Sequence, residues 1–412
     1  MPVARSADPC GVDLLTRFTR LTDWLQRHQA LWRARPFTTP VLAWEADWPE
    51  LAGWLRARSL ADAEAAQSQP AQLLGALEPF GQLAAEAQEL CVLPRWEAAV
   101  SPSVPELLHR HIPGRKWQQI TRFAAVATAR TPAPVERWVD WCAGKGHLGR
   151  LLAWQSGCPV CYLEWDAELN RAGAELSARL QVDAQHLDAD VMQASNAERL
   201  ERGDTLVALH ACGDLHRQLI EQVVARQCRQ LALSPCCYNR IAGASHQPLS
   251  LAGKTAALPL SRDELGLALQ QSATAGAREL RQRDRSMAWR LAFDHWQREG
   301  RGVDSYLPTP SRAPGPQPQT LADFCLAMAA YHDLQLPAPA DWQALEAHGW
   351  QRLAQVRNLE LVGGLFRRPL ELWLVLERAL YLQEAGYRVR LGEFCEPALT
   401  PRNLLLLAQR DN

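Results

Sequence analysis

A glycine-rich turn set between two apolar segments constrains this chain more than any other feature. Gly144-Lys145-Gly146-His147-Leu148-Gly149 follows directly on the run Trp138–Ala143. The GxGxxG spacing suits a strand-to-helix turn whose bare backbone can carry a nucleotide-bearing cofactor. Asp140 stands four residues before the first glycine. In a dinucleotide fold the strand end and helix N-terminus face an anionic pyrophosphate, which a carboxylate repels. S-adenosylmethionine has no phosphate, and its methionyl end carries an ammonium group. Asp140 therefore favours S-adenosylmethionine over NAD.

The surrounding pattern names the fold class. Short apolar runs at Arg137–Trp141, Val160–Glu164, His186–Ala189, Thr205–Leu209 and Gln230–Leu233 read as strands. Leu148–Gln155, Ala167–Leu180 and Leu215–Arg226 between them suit helices. This alternation implies a parallel, doubly wound sheet. An amphipathic helix over Pro369–Ala385, stopped by Gly386, leads into two more strand-like runs, Tyr387–Phe394 and Asn403–Gln409. The expected architecture is α/β: a Rossmann-like, seven-stranded sheet completed by a C-terminal hairpin whose last strand is antiparallel. Four segments follow: an N-terminal helical region (1–110), a Rossmann-like core (111–245), a mainly helical insertion (246–364) and the closing helix and hairpin (365–412). Pro308, Pro310, Pro314, Pro316 and Pro318 form a stiff connector inside the insertion.

Bulk composition narrows the partners. With 47% hydrophobic and 22% charged residues and a net charge of −1, the chain is ordinary for a soluble globular protein and has no global attraction to nucleic acid or membrane. The N-terminus lacks an apolar core like that of a secretory signal, and no stretch is long enough to span a bilayer. Eleven cysteines without regular spacing argue against a disulfide framework and for a reducing cytoplasm. Only Cys158 and Cys161 have CxxC spacing, and they fall on an expected buried strand, so no metal centre is expected.

Ligands of such sheets sit off the carboxyl ends of the strands. Those ends collect Asp140 and the turn residues Gly144, Lys145 and Gly146; Glu164, twenty residues after Gly144 and placed to accept from ribose hydroxyls; Asp188 and Asp190, the latter for the adenine amino group; His210-Ala211-Cys212-Gly213-Asp214; and Ser234-Pro235-Cys236-Cys237-Tyr238-Asn239. A C-terminal hairpin would bring Thr400-Pro401-Arg402-Asn403 to the same edge. His210, Asp214 and Tyr238 are the candidates for orienting the acceptor and removing its proton, and His210 also borders the cofactor. Cys236, Cys237, Asn239, Arg402 and Asn403 are candidates for acceptor binding, with Arg402 as an anion clamp. Arg278, Arg281, Arg283, Arg285 and Arg290 crowd one stretch of the insertion, either as a solvated face or as a phosphate-tracking surface.

Asp140 with Gly144–Leu148, Leu209–Leu215 and Ser234–Tyr238 together resemble one branch of the class I methyltransferases. That branch holds the rRNA-adenine-dimethylase-domain-containing proteins, the glutathione S-transferase C-terminal-domain-containing protein and, more distantly, the tRNA acceptor-stem 2′-O-methyltransferase. Leu370–Glu384 and Thr400-Pro401-Arg402-Asn403 are similar to a C-terminal run of the branch, with Thr400 where relatives carry Ser. Lys116 and Gln119 resemble an element ahead of its first strand. The resemblance covers residues 111–245 and 365–412. It implies S-adenosylmethionine-dependent methyl transfer, with RNA (tRNA or rRNA) as the acceptor class. A protein or small-molecule acceptor is the alternative, as is a cofactor-binding scaffold that recruits a protein partner through its N-terminal helices.

Overall fold

The computed structural model describes residues 13–67, 77–97, 103–131, 133–269, 277–310 and 318–410. The chain divides into two compact units. The first comprises 1–27, 88–269 and 368–412; the second comprises 28–87 and 270–367. The second unit thus draws on both the N-terminal region and the insertion.

The first unit is built on one seven-stranded sheet of order β3-β2-β1-β4-β5-β7-β6. Its strands are β1 (Arg137–Trp141), β2 (Val160–Glu164), β3 (Ala184–Asp188), β4 (Asp204–Cys212), β5 (Gln230–Cys236), β6 (Tyr387–Glu393) and β7 (Leu404–Arg410). The first five pair in parallel, and β7 runs antiparallel to both β5 and β6. β2 is buried along its whole length, as expected of a parallel strand covered on both faces. β3 lies at the sheet edge and only partly buries its side chains, so it has no apolar run to mark its start; it begins two residues before its sequence-based position. β4 and β5 run three residues past their expected ends. A register shift between Leu209 and Ala211 lets the pairing continue, so that Pro235 pairs with Ala211 and Cys236 with Cys212. Proline is tolerated at such an irregularity.

Helices cover both faces: α1 (Leu14–Arg27), α2 (Gly114–Arg130), α3 (His147–Ser156), α4 (Ala167–Arg179), α5 (Asp214–Arg226) and α6 (Arg367–Glu384). Phe123 of α2 and Leu151 of α3 pack on Trp138, Tyr162, Val207 and Leu405. Full burial of a side chain such as Phe123 contributes about 2–3 kcal/mol. Asp166 caps α4 by accepting from the Glu168 and Leu169 N–H groups. On the opposite face α6 is tied in by buried polar contacts. Arg378 Nε donates to His216 Nε2 at 2.8 Å, and the Trp373 indole donates to Thr22 at 2.8 Å. Arg368 pairs with Glu371 at 2.7 Å and Glu393 accepts from the same guanidinium at 2.5 Å.

The second unit is helical. Ala277–Arg301, Leu321–Tyr331 and Trp342–Gly364 pack around Trp289, Phe293, Trp296, Phe324 and Leu345. Arginines of the first of these helices are engaged within the unit. Arg283 and Arg357 converge on Asp284, Arg290 donates to Thr309 and Pro310, and Arg285 stacks over Trp289. Pro308 and Pro310 lie in a stretch without regular structure, while Pro314 and Pro316 fall outside the described residues. Among the described residues no helix is long and apolar enough to cross a membrane.

Candidate active site

The carboxyl edge of the sheet gathers the strand-end residues into one place. Asp140 is buried at the end of β1, and its Oδ2 accepts the Gly149 N–H at 2.9 Å, anchoring the first turn of α3. Gly146 and Gly149 are required by space: a Cβ on either would sit 2.6 or 2.8 Å from the Tyr162 ring. Gly144 differs. Its φ is +58°, but a Cβ there would meet nothing within 4 Å, so the backbone faces open space where a cofactor can approach. Arg150, buried on α3, cinches the turn from behind by donating to the Lys145 carbonyl at 2.5 Å and to Gly173 O at 3.1 Å.

Glu164 at the end of β2 already holds this loop. Its Oε2 accepts the Gly144 N–H at 2.7 Å and its Oε1 accepts the Asp166 N–H at 3.0 Å. A carboxylate offers about four acceptor positions, so capacity for two ribose hydroxyls remains. Directly after it, Trp165 is 77% exposed, and Met192 beyond β3 is 45% exposed. Neither was singled out from sequence; the cue available for Trp165 was its place next to Glu164. Asp190 accepts from the Met192 N–H and Gln193 Nε2. Asp188 is committed to Asn170, within a chain running through His186 to Ser177.

Burial pushes the Asp140 carboxyl up to about 7, against the Gly149 hydrogen bond and the Arg150 charge. Below that pH it is largely protonated in the cofactor-free fold. A cationic ligand stabilises the carboxylate, so binding releases a proton. The affinity for S-adenosylmethionine should therefore rise by about tenfold per pH unit up to about pH 7 and level off above it. Asp140→Asn should flatten that profile in isothermal titrations between about pH 5.5 and 8; an unchanged slope in the variant would assign the proton elsewhere.

His210 sits in the β4 irregularity with φ +64°. Its Nε2 lies 2.9 Å from Gln119 Oε1, while Gln119 Nε2 donates to Leu399 O at 3.1 Å. The second contact fixes the amide orientation, so His210 Nε2 carries the proton and Nδ1 keeps the lone pair. Burial, then the charges of Arg402 and Lys116, lower His210 to about 4; the ring is neutral at physiological pH. Asp214 Oδ2 accepts the Ala242 N–H at 2.7 Å, clamping the loop after β5 to the start of α5. Asn239 belongs to the same loop, with its amide 3.9 Å from a Cβ position on Gly266.

Two sequence-based candidates are displaced. Tyr238 is buried, with its ring edge-on to His216 and beneath Arg378, so its ring is taken up in packing. Asn403 is also buried: its Oδ1 accepts from Arg368 and its Nδ2 donates to Cys395 O. Its amide is spent on the β6–β7 turn. That turn does reach the site edge, where Ser234 Oγ donates to Arg402 O at 3.1 Å. Lys116 and Lys145 are exposed beside His147. Cys236 and Cys237 come together with Cys212: the three sulfurs lie within 4.8 Å of one another. The CxxC criterion could not find a group split between two strands.

A family model described as a methyltransferase domain matches residues 115–244. The chain is 32% identical over 146 residues to the glutathione S-transferase C-terminal domain-containing protein homolog of Drosophila melanogaster, covering 34% of this chain and 23% of that protein. Against the corresponding Mus musculus protein it is 27% identical over 249 residues, 56% of this chain and 38% of the other. The chain thus spans well under half the length of these relatives. Similar solved structures include coclaurine N-methyltransferase bound to N-methylheliamine and SAH (14% identity, TM-score 0.28, covering 77% of this chain and 95% of that one). Another is the plantazolicin methyltransferase in complex with SAH (13% identity, TM-score 0.22, 42% and 59%). Residues 115–244 are a methyltransferase domain on a class I fold, and S-adenosylmethionine is the methyl donor of that class.

Proposed function

We propose that the protein transfers the methyl group of S-adenosylmethionine to RNA, with tRNA or rRNA as the acceptor class. The observation that supports this is the charge around the site. The chain has three lysines in all. Two of them, Lys116 and Lys145, are exposed beside His147, and Arg240 and Arg402 act on Cys212. In a chain of net charge −1, that local gathering of cations favours an anionic acceptor over a neutral one. Asp140 and the glycine turn would hold the methionyl end, Glu164 the ribose, Asp190 the adenine amino group, and Trp165 a face of the base. Methyl transfer is an in-line displacement: the acceptor heteroatom bonds to the methyl carbon as the carbon–sulfur bond breaks, with alignment supplying most of the acceleration. His210 Nδ1, unprotonated because Nε2 donates to Gln119, would take the acceptor's proton.

The test is transfer of labelled methyl from S-adenosylmethionine to RNA and protein fractions of a strain lacking the gene. Label is expected in RNA; label in protein or small molecules alone would refute the RNA assignment, and label nowhere would leave a cofactor-binding scaffold. If four cations each neutralise one phosphate, RNA affinity should fall about fiftyfold between about 50 and 200 mM salt. A flat salt response would remove the electrostatic support.

A further inference from the structure

Cys212, Cys236 and Cys237 are not among the residues proposed to hold the cofactor, yet the backbone is bent to bring their sulfurs together. Successive residues of a strand point to opposite faces, so Cys236 and Cys237 would ordinarily diverge. They do not, because Cys237 has φ +48°. The irregularity around His210, with φ +64°, resets β4 so that Cys212 stands directly beside Cys236. A left-handed non-glycine residue costs about 1–2 kcal/mol, and such strain concentrates at functional sites. The result is a Cys212–Cys236 sulfur separation of 3.5 Å, with all three sulfurs within 4.8 Å. Three thiolates around one zinc ion, at about 2.3 Å each in tetrahedral geometry, stand about 3.8 Å apart. The cluster needs shifts of only a few tenths of an ångström at the closest pair to reach that spacing. Cys236 is buried while Cys212 and Cys237 are half-buried, which leaves one side of the cluster open. Arg240 and Arg402 are close enough to Cys212 to act on its charge, and so to offset the negative charge left when three thiolates meet one divalent ion.

We propose that Cys212, Cys236 and Cys237 bind one zinc ion at the carboxyl edge of β4 and β5, with the fourth coordination position open. Three protein ligands and an open position are the arrangement of a zinc site that activates a bound nucleophile. On the methyl-transfer reading above, on which this role rests, the fourth ligand is the oxygen or nitrogen of the acceptor. Zinc lowers the pKa of that group, its proton passes to His210 or solvent, and the freed electron pair forms the new bond to the methyl carbon. The carbon–sulfur pair leaves on the sulfur of S-adenosylhomocysteine.

Metal content tests the site without reference to turnover. Full-length protein purified under a phosphine reductant from zinc-supplemented medium should carry about one zinc per chain by mass spectrometry. Metal-free protein titrated with cobalt should develop thiolate-to-metal charge-transfer absorption that saturates at about one equivalent. Cys212→Ser and Cys237→Ser should each weaken cobalt binding by more than about tenfold, while Cys158→Ser, whose sulfur donates to Val135 O outside the cluster, should not. S-adenosylmethionine binding by each variant reports that it is folded. The proposal is overturned if folded, reduced wild-type protein takes up no cobalt, if uptake survives the double Cys212→Ser, Cys237→Ser substitution, or if the reduced thiols only close to a Cys212–Cys236 disulfide. One zinc per chain with no methyl transfer to any fraction would keep the site and discard the acceptor role; methyl transfer by metal-free protein would do the same.

Discussion

Replacing Glu164 with alanine is expected to weaken S-adenosylmethionine binding by about a hundred- to a thousandfold while the sheet stays folded. Two separate losses add up. On the proposed reading the carboxylate accepts the ribose hydroxyls, and each hydrogen bond to a charged group contributes about 1.5–3 kcal/mol. It is also what holds the glycine turn, through the Gly144 N–H at 2.7 Å and the Asp166 N–H at 3.0 Å. Without it the turn must be ordered at the moment of binding. Glu164→Gln separates the two effects. The amide keeps the shape and one acceptor oxygen, but its NH2 confronts one of the two backbone donors, so a loss of about tenfold is expected. Isothermal titration of the three proteins decides it. An alanine variant that binds within about threefold of wild type would mean that the ribose lies elsewhere.

The fold was legible where burial writes itself into residue type. β1 and β2 carry apolar runs because both faces are covered, and their limits match the sequence reading. β3 was misplaced by two residues because an edge strand has polar positions that are exposed or half-buried, such as Gln185 and His186. The ends of β4 and β5 were cut short because His210 and Pro235 look like terminators, and nothing local announces that an irregularity at one absorbs the proline at the other. That Asp140, the glycine turn and Glu164 meet at one edge was readable because one turn and one spacing place them. The acceptor side was not. Whether Tyr238 faces a ligand or the core depends on α6, which supplies Arg378 from 140 positions later in the chain. Asn403 was read as an acceptor contact because its partner Arg368 lies on that same distant helix. Long-range polar pairings of this kind leave no periodic trace in a single sequence.

Gly213→Ala should be the most damaging single substitution at the carboxyl edge, costing about 3–5 kcal/mol with loss of transfer activity. Gly213 precedes α5 with φ +53° and ψ −121°, a region that side chains with a Cβ rarely enter, at a cost of about 1–3 kcal/mol. Space adds to the strain. A Cβ there would lie 1.9 Å from the Arg240 carbonyl oxygen and 2.5 Å from its carbon, and backbone cannot swing aside as a side-chain tip can. The Arg240 carbonyl accepts the Asp214 N–H at 3.0 Å, and Asp214 in turn holds Ala242. Pushing that carbonyl away therefore releases the loop that carries Cys237 and Asn239. Gly144→Ala is the matched control. It also has positive φ, but its added Cβ meets nothing within 4 Å, so only the backbone strain of about 1 kcal/mol remains. Thermal midpoints with and without S-adenosylmethionine rank the two: Gly213→Ala should melt well below wild type in either state. Gly144→Ala should melt close to wild type alone and lose part of the shift the cofactor gives, because its methyl group occupies the cofactor's approach. Equal midpoints for Gly213→Ala and wild type would show that the start of α5 and the loop after β5 are not in contact, and the grouping of His210, Asp214 and the three cysteines into one site would fall with it.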